Sequence, residues 1–236
     1  MTEVQIRKLP RQVATVLGRR IVSAAAAGLT VPLSTEHEIC AEFSVSRSVA
    51  REALGILAGL DMVTISQGKR VTLRPTAEWD YLSPIMLEML APEQVHRLLA
   101  ELHEVRLILE PEIAARAAER IGPGGLAELR AALDAMAARE AEPDAYLAED
   151  LRFHTQLCWA QNNRVLERMV YSCRWLLTAS RQVTNAAPQP MTTVTEAHRQ
   201  IYLAVEAGDP AAARDAMVSH LESVTPIWRD TPKGHA

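Results

Sequence analysis

Apolar residues recur along most of this chain at the three- and four-residue spacing of helices, and they alternate like strands in one short stretch. The first periodic run, Arg11 to Ala27, turns Val13, Val16, Leu17 and Ile21 to one side and stops before Gly28, which predicts a supporting helix. Thr35-Glu36-His37-Glu38 has the T-x-x-E form of a capping box, so a second helix is expected from Glu36 to about Phe43. Ser44-Val45-Ser46 supplies a tight connection, and the Ser46 hydroxyl can cap a third helix. At about 100° per residue that third helix gathers Val49, Ala50, Ala53, Leu54, Ile56, Leu57 and Leu60 on one arc, and leaves Arg47, Ser48, Arg51, Glu52 and Gly55 on the other. Two β-rich runs, Met62–Ser66 and Arg70–Leu73, then flank Gln67-Gly68-Lys69 as a hairpin would.

From Trp79 onward only helical periodicity remains, broken at Pro92, Gly122-Pro123-Gly124-Gly125, Pro143, Asn162-Asn163, Pro188-Gln189-Pro190 and Gly208-Asp209-Pro210. Six or seven helices of such length predict an antiparallel bundle. The expected fold is mainly α: a winged helix-turn-helix with a small β-hairpin over residues 1–75, then an all-helical antiparallel bundle over 76–236.

Charge divides along the same line. Residues 1–75 carry ten Lys and Arg against six Asp and Glu, whereas 76–236 carry fifteen against twenty-three, within a chain of net charge −4. A basic head favours phosphate contact through counterion release, and an acidic remainder argues against nonspecific coating of nucleic acid. Arg47 and Arg51 sit in the first turns of the third helix, where a reading helix meets base edges and phosphates. An arginine fork suits guanine or phosphate, Ser48 adds a hydroxyl, and Gln67, Gly68 and Lys69 form a basic wing tip.

These residues carry a resemblance. Leu33-Ser34-Thr35-Glu36-His37-Glu38-Ile39, Phe43 through Leu54, and Leu57-x-x-Leu60-Asp61-Met62-Val63 resemble the head of the GntR family of bacterial transcription regulators. The chain departs from the family's pattern at His37, where an arginine is usual, at Ala50, where a larger apolar residue is usual, and at Asp61, where glycine is common. The resemblance implies DNA contact by Arg47, Ser48 and Arg51, supported by the wing.

In the second part, Asp150 and His154 lie four residues apart, hence on one helix face, at a spacing that suits metal ligation. A solvated or salt-bridged helix face is the commoner meaning of such a pair; His198 and His220, on the last two helices, are further candidate ligands. Glu196 to Ile201, Ala207 to Ala213 and Met217 to Leu221, with Glu104 to Arg120, resemble the FCD domain, the helical effector module of the FadR branch of GntR regulators. That resemblance implies a buried cavity with a divalent metal held by Asp150, His154, His198 and His220, zinc first and nickel or manganese as alternatives. It also implies an organic-acid effector beside the metal, with Arg106 as its carboxylate partner. His103, one turn earlier, is a further candidate for the cavity wall, and a salt bridge to Glu110, or to Glu101 or Glu104, is the rival role for Arg106.

The reading is a ligand-responsive bacterial transcription regulator, a repressor and not an enzyme, binding an inverted-repeat DNA operator as a homodimer. A small carboxylate such as a sugar acid would modulate it. The rivals are a metal-dependent hydrolase or lyase fused to a DNA-binding head, and a direct metal sensor. No targeting segment or membrane span is read from the sequence, so a cytoplasmic protein is expected. Cys40, Cys158 and Cys173 lack a C-x-x-C pair and sit in apolar patterns, which predicts buried reduced thiols. Leu107, Leu157, Trp159, Met169, Trp175, Leu176 and Leu177 are expected to build the bundle core.

Overall fold

The structure is a computed structural model, and it describes residues 3–29, 33–65, 71–185 and 190–229. Contacts divide the chain into two compact units, Met1–Val95 and His96–Ala236.

In the first unit, α1 (Glu3–Ala26) begins about two turns before the expected start, with Pro10 inside it, and Gly28 turns the chain at φ +67°. Helices α2 (Glu36–Phe43) and α3 (Arg47–Gly59) follow as the capping chemistry dictates. The Thr35 hydroxyl accepts from the Glu38 amide, and the Glu38 carboxylate accepts from the Thr35 amide. Ser46 Oγ accepts from the Val49 amide at the head of α3. Asp61 takes the left-handed conformation, φ 55°, after α3, and Ser44 does so between α2 and α3. The hairpin is short: β1 (Val63–Thr64) pairs antiparallel with β2 (Thr72–Leu73), Val63 opposite Leu73. The expected wing residues Gln67, Gly68 and Lys69 lie outside the described residues.

Val49, Ala50, Ala53, Leu54, Leu57 and Leu60 are buried against Val13, Leu17 and Ile21 of α1. Trp79, directly after a 3-10 turn (Thr76–Glu78), Met86 of a one-turn helix α4 (Pro84–Leu87) and Met89 in the turn that follows it join the same core. The sequence put the divide at 75/76; the segment up to Met89 packs with the head because these three side chains have their apolar partners there.

The second unit is a helical bundle built from α5 (Pro92–Arg120), α6 (Pro123–Ala138), α7 (Pro143–Trp159), α8 (Arg164–Asn185), α9 (Met191–Glu206), α10 (Pro210–Val224) and the short α11 (Pro226–Arg229). The first residues of α5 belong to the first unit. Asn162 is left-handed, φ 48°, and Asn163 Oδ1 accepts from the amides of Val165 and Leu166, so the pair stops α7 and starts α8. The core runs through Leu129, Leu133, Met136, Phe153, Ile201 and Leu221. Leu157 and Leu176 are buried as expected, but Trp159 and Met169 are each 55 % exposed and do not belong to it. Of the three free thiols, Cys158 alone is fully buried; Cys40 and Cys173 are half-buried. No described helix is long and apolar enough to cross a membrane.

Candidate functional sites in the two units

In the first unit, α3 offers Arg47, Ser48, Arg51, Glu52 and Gly55 to solvent, the whole polar arc read from the sequence. Arg51 is held in a two-pronged ion pair: its Nε donates to Glu36 Oε1 at 3.1 Å and its Nη2 to Glu36 Oε2 at 3.3 Å. The Arg51 hydrogen bond keeps the Glu36 carboxyl below its ordinary pKa. The guanidinium is therefore already oriented across the first turn of the helix, with its fork on a carboxylate that has the shape of two phosphate oxygens.

In the second unit, the four sequence-predicted ligands come together from α7, α9 and α10. One ligand nitrogen from each of His154, His198 and His220 lies within 4.8 Å of the others. His154 Nε2 and His198 Nε2 are 3.2 Å apart, and Asp150 Oδ1 is 3.0 Å from His198 Nε2 and 3.9 Å from His154 Nε2. The outer sides of two rings are occupied. His198 Nδ1 donates to the Val194 carbonyl at 2.8 Å, and His154 Nδ1 lies 2.8 Å from Glu110 Oε2, by a bent approach, with an anion that keeps the proton on that side.

The two Nε2 atoms and Asp150 Oδ1 thus converge on one point, where a shared cation would meet nitrogen and oxygen donors together. Two nitrogens on one tetrahedral ion at about 2.0–2.1 Å stand roughly 3.3 Å apart, close to the spacing here. Burial, with Arg181 nearby, lowers His154 to about 4, and burial with the other two imidazoles pushes His220 well below its ordinary value. Neutral imidazoles at His154 and His220 and an ionised carboxylate at Asp150 are ligand forms a divalent ion needs, so these donors fit one.

Burial raises the Asp150 carboxyl, but Arg181, His198 and His154 together outweigh it and hold it well below the carboxylate range. Arg181 pairs with Asp150 through Nε. It is 3 % exposed, and its Nη1 and Nη2 have no hydrogen-bond partner. Arg106 Nε donates to Glu110 Oε1 at 2.7 Å, so the salt bridge weighed as the alternative role for Arg106 is present. Burial raises Glu110 too, and Arg106, His154 and Arg181 overcome it.

A cavity of about 590 Å³ opens beside this cluster between α5, α7 and α8, and Arg106, Glu110, His154 and Arg181 are on its wall. His103 is not. Its Nε2 lies 3.0 Å from Thr225 Oγ1, and its ring packs 6.2 Å from Trp228. Arg181 escaped the sequence reading, although it continues the apolar stripe Leu166, Val170, Cys173, Leu177 of α8, where a charged residue is out of place.

His103 yields a pH prediction. Burial, then Arg106, lowers its pKa to about 4, against about 6.5 in an unfolded chain. Unfolding therefore takes up a proton between these values. The contribution of the neutral ring to stability is complete above about pH 6.5 and disappears as pH falls toward 4, at up to about 1.4 kcal/mol per pH unit. Urea unfolding of the protein between pH 7 and 4.5 is expected to lose stability more steeply than that of His103→Gln; equal slopes would place the proton uptake elsewhere.

The profile of the bacterial regulatory proteins of the gntR family matches residues 9–73, and that of the FCD domain matches residues 101–223. The galactonate operon transcriptional repressor of Escherichia coli K12 is 30% identical over 198 residues, 82% of this chain and 86% of its own. The HTH-type transcriptional regulator LutR of Bacillus subtilis is 30% identical over 201 residues, 83% and 90% of the two chains. Among solved structures, a GntR of Streptococcus agalactiae superposes with a TM-score of 0.52 at 26% identity, covering 93% of this chain and 100% of that one. The hydrolase or lyase alternative falls with these relatives, which are regulators along their whole matched length. A reading helix in the first unit and an FCD bundle in the second leave one assignment: the chain belongs to the GntR family, in the branch that carries an FCD domain, and is a DNA-binding transcription regulator rather than an enzyme.

Proposed function

We propose that the protein is a repressor that binds an inverted-repeat operator as a homodimer and changes its DNA affinity when a small organic acid binds beside a divalent ion in the second unit. The observation that carries this reading is the convergence of Asp150, His154, His198 and His220 next to a cavity with the buried guanidiniums of Arg106 and Arg181 on its wall. Arg47, Ser48 and Arg51 read the DNA, and the wing around Gln67, Gly68 and Lys69 supports them. The name of one relative, a galactonate operon transcriptional repressor, supports regulation by repression.

Charge favours the metal and the acid acting together. Arg106 faces Glu110 and Arg181 faces Asp150, so the four ionised side chains cancel one another. A divalent ion, zinc first for a three-histidine and one-carboxylate set, would add two positive charges, and expansion beyond these four donors would give a carboxylate or hydroxyl oxygen a place on it. The acid's carboxylate is gripped by the two guanidiniums, whose forks match its oxygens. A coupling of about 1–3 kcal/mol between acid and operator suffices for a severalfold to hundredfold change in DNA affinity.

The test is thermal unfolding of the full chain with organic acids, zinc-loaded and chelated, alongside operator titrations. An acid at a hundred times its Kd adds about 2.7 kcal/mol of stability. That is expected to raise the Tm by roughly 5–10 °C in the zinc-loaded protein, at about 2–4 °C per kcal/mol for a chain of this size, and by nothing after chelation. If zinc alone shifts operator affinity and no acid does, the ion is itself the signal and the acid reading fails.

A further inference from the structure

The cavity wall is mostly apolar, with a charged group beside the histidine cluster. Arg106, Glu110, His154 and Arg181 are gathered beside the histidine cluster, and beyond them the wall is formed by side chains such as Leu102, Leu109, Ile113, Leu166, Val170 and Leu177. Several of the other polar groups on the wall have partners of their own. Thr155 Oγ donates to the Leu151 carbonyl at 2.6 Å, and Thr178 Oγ donates to the Arg174 carbonyl at 2.9 Å. Arg152 bonds Glu149 at 3.1 Å and also pairs with Glu128. The Arg174 guanidinium sits 3.9 Å from the centre of the Tyr171 ring. Glu167, the remaining charged group, is an anion that repels another. The half-exposed Trp159 and Met169 line the cavity as well, adding apolar surface where it meets solvent.

From this division we infer that the effector is a carboxylic acid with an apolar tail, aliphatic or aromatic, and not a polyhydroxylated sugar acid; the inference rests on the acid-sensor reading of the same site. The carboxylate goes to Arg106 and Arg181. Each hydroxyl of a sugar acid lying further along the cavity gives up its water for a wall of methyl and methylene groups, and burying a hydroxyl without a partner is unfavourable. An alkyl or aryl tail gains there by leaving water. At about 590 Å³ the space is in the range of pockets that enclose whole ligands, larger than a carboxylate alone requires.

The test is calorimetric titration of the zinc-loaded full chain with butyrate, hexanoate, octanoate, 3-phenylpropionate, gluconate and galactonate. The Kd is expected to fall about fourfold for each added methylene from butyrate to octanoate, the factor for burying one CH2 group. Octanoate and phenylpropionate should bind more tightly than either sugar acid. Val170→Asp is expected to abolish the dependence on chain length, with zinc content of the same sample as the check that the bundle is folded. A Kd that does not change with chain length, or a sugar acid that binds more tightly than octanoate, overturns the apolar-tail inference and leaves the acid sensor standing. Failure of every acid to bind the zinc-loaded protein overturns the acid sensor itself.

Discussion

Replacing Arg51 with alanine is expected to weaken operator binding by at least about 30-fold. A bidentate arginine contact to a base is worth roughly 1–3 kcal/mol, and two copies on an inverted repeat lose it twice, so the loss runs from about 30-fold to beyond ten-thousandfold. Arg51 is exposed and its partner in the free protein is Glu36, so its removal leaves the buried face of α3 intact and the fold unchanged. The measurement is fluorescence anisotropy at fixed salt, on an operator recovered by selection from random duplexes and on a scrambled duplex. Equal affinities of Arg51→Ala and the parent for the operator would remove Arg51 from the reading surface. Glu36→Gln gives the converse experiment. It frees the guanidinium before DNA arrives, so binding to every duplex is expected to tighten, the scrambled one included.

The second large effect concerns Asp150 and Arg181. Both are 3 % exposed, and among the described residues Asp150 is the anion that pairs with Arg181. Removing one member of a buried ion pair leaves the other charge without water or partner, which costs roughly 3–5 kcal/mol, whereas replacing both by apolar groups of similar volume is near neutral or stabilising. Asp150→Leu is therefore expected to lose about that much in urea unfolding of the metal-free protein, and Asp150→Leu with Arg181→Met to recover most of it. A loss below about 1 kcal/mol in the single variant would mean that Arg181 reaches water through the cavity instead. Measuring without metal separates this effect from the loss of a ligand.

The sequence made local chemistry legible and left tertiary partnership largely hidden. Thr35 with Glu38, Ser46, Asp61 and Asn163 each act within a few residues of themselves, so capping and left-handed positions could be read directly. Asp150 and His154 share a helix face, and their spacing pointed to a common site. Arg181 stands thirty-one residues from Asp150, and its role exists only through that distant carboxylate. Trp159 and Met169 show a related limit, because periodicity says which side of a helix faces inward and not whether protein or an open cavity waits there. Trp79, Met86 and Met89 sit just after a 3-10 turn, on a single helical turn and in the turn beyond it, too little periodicity to say which core they join. The 590 Å³ space itself has no signature along the chain, since it is bounded by three helices at once.

Glu110 touches both halves of the second site: one oxygen takes the Arg106 guanidinium at 2.7 Å and the other lies 2.8 Å from His154 Nδ1. An acid that draws Arg106 away alters the charge seen by the imidazole on the far side of that carboxylate. Thermodynamic reciprocity then applies: by whatever factor the ion tightens the acid, the acid tightens the ion. A regulator wired in this way answers to a conjunction, with an output that follows the product of two occupancies, so the same concentration of acid would be read differently in metal-replete and metal-starved cells.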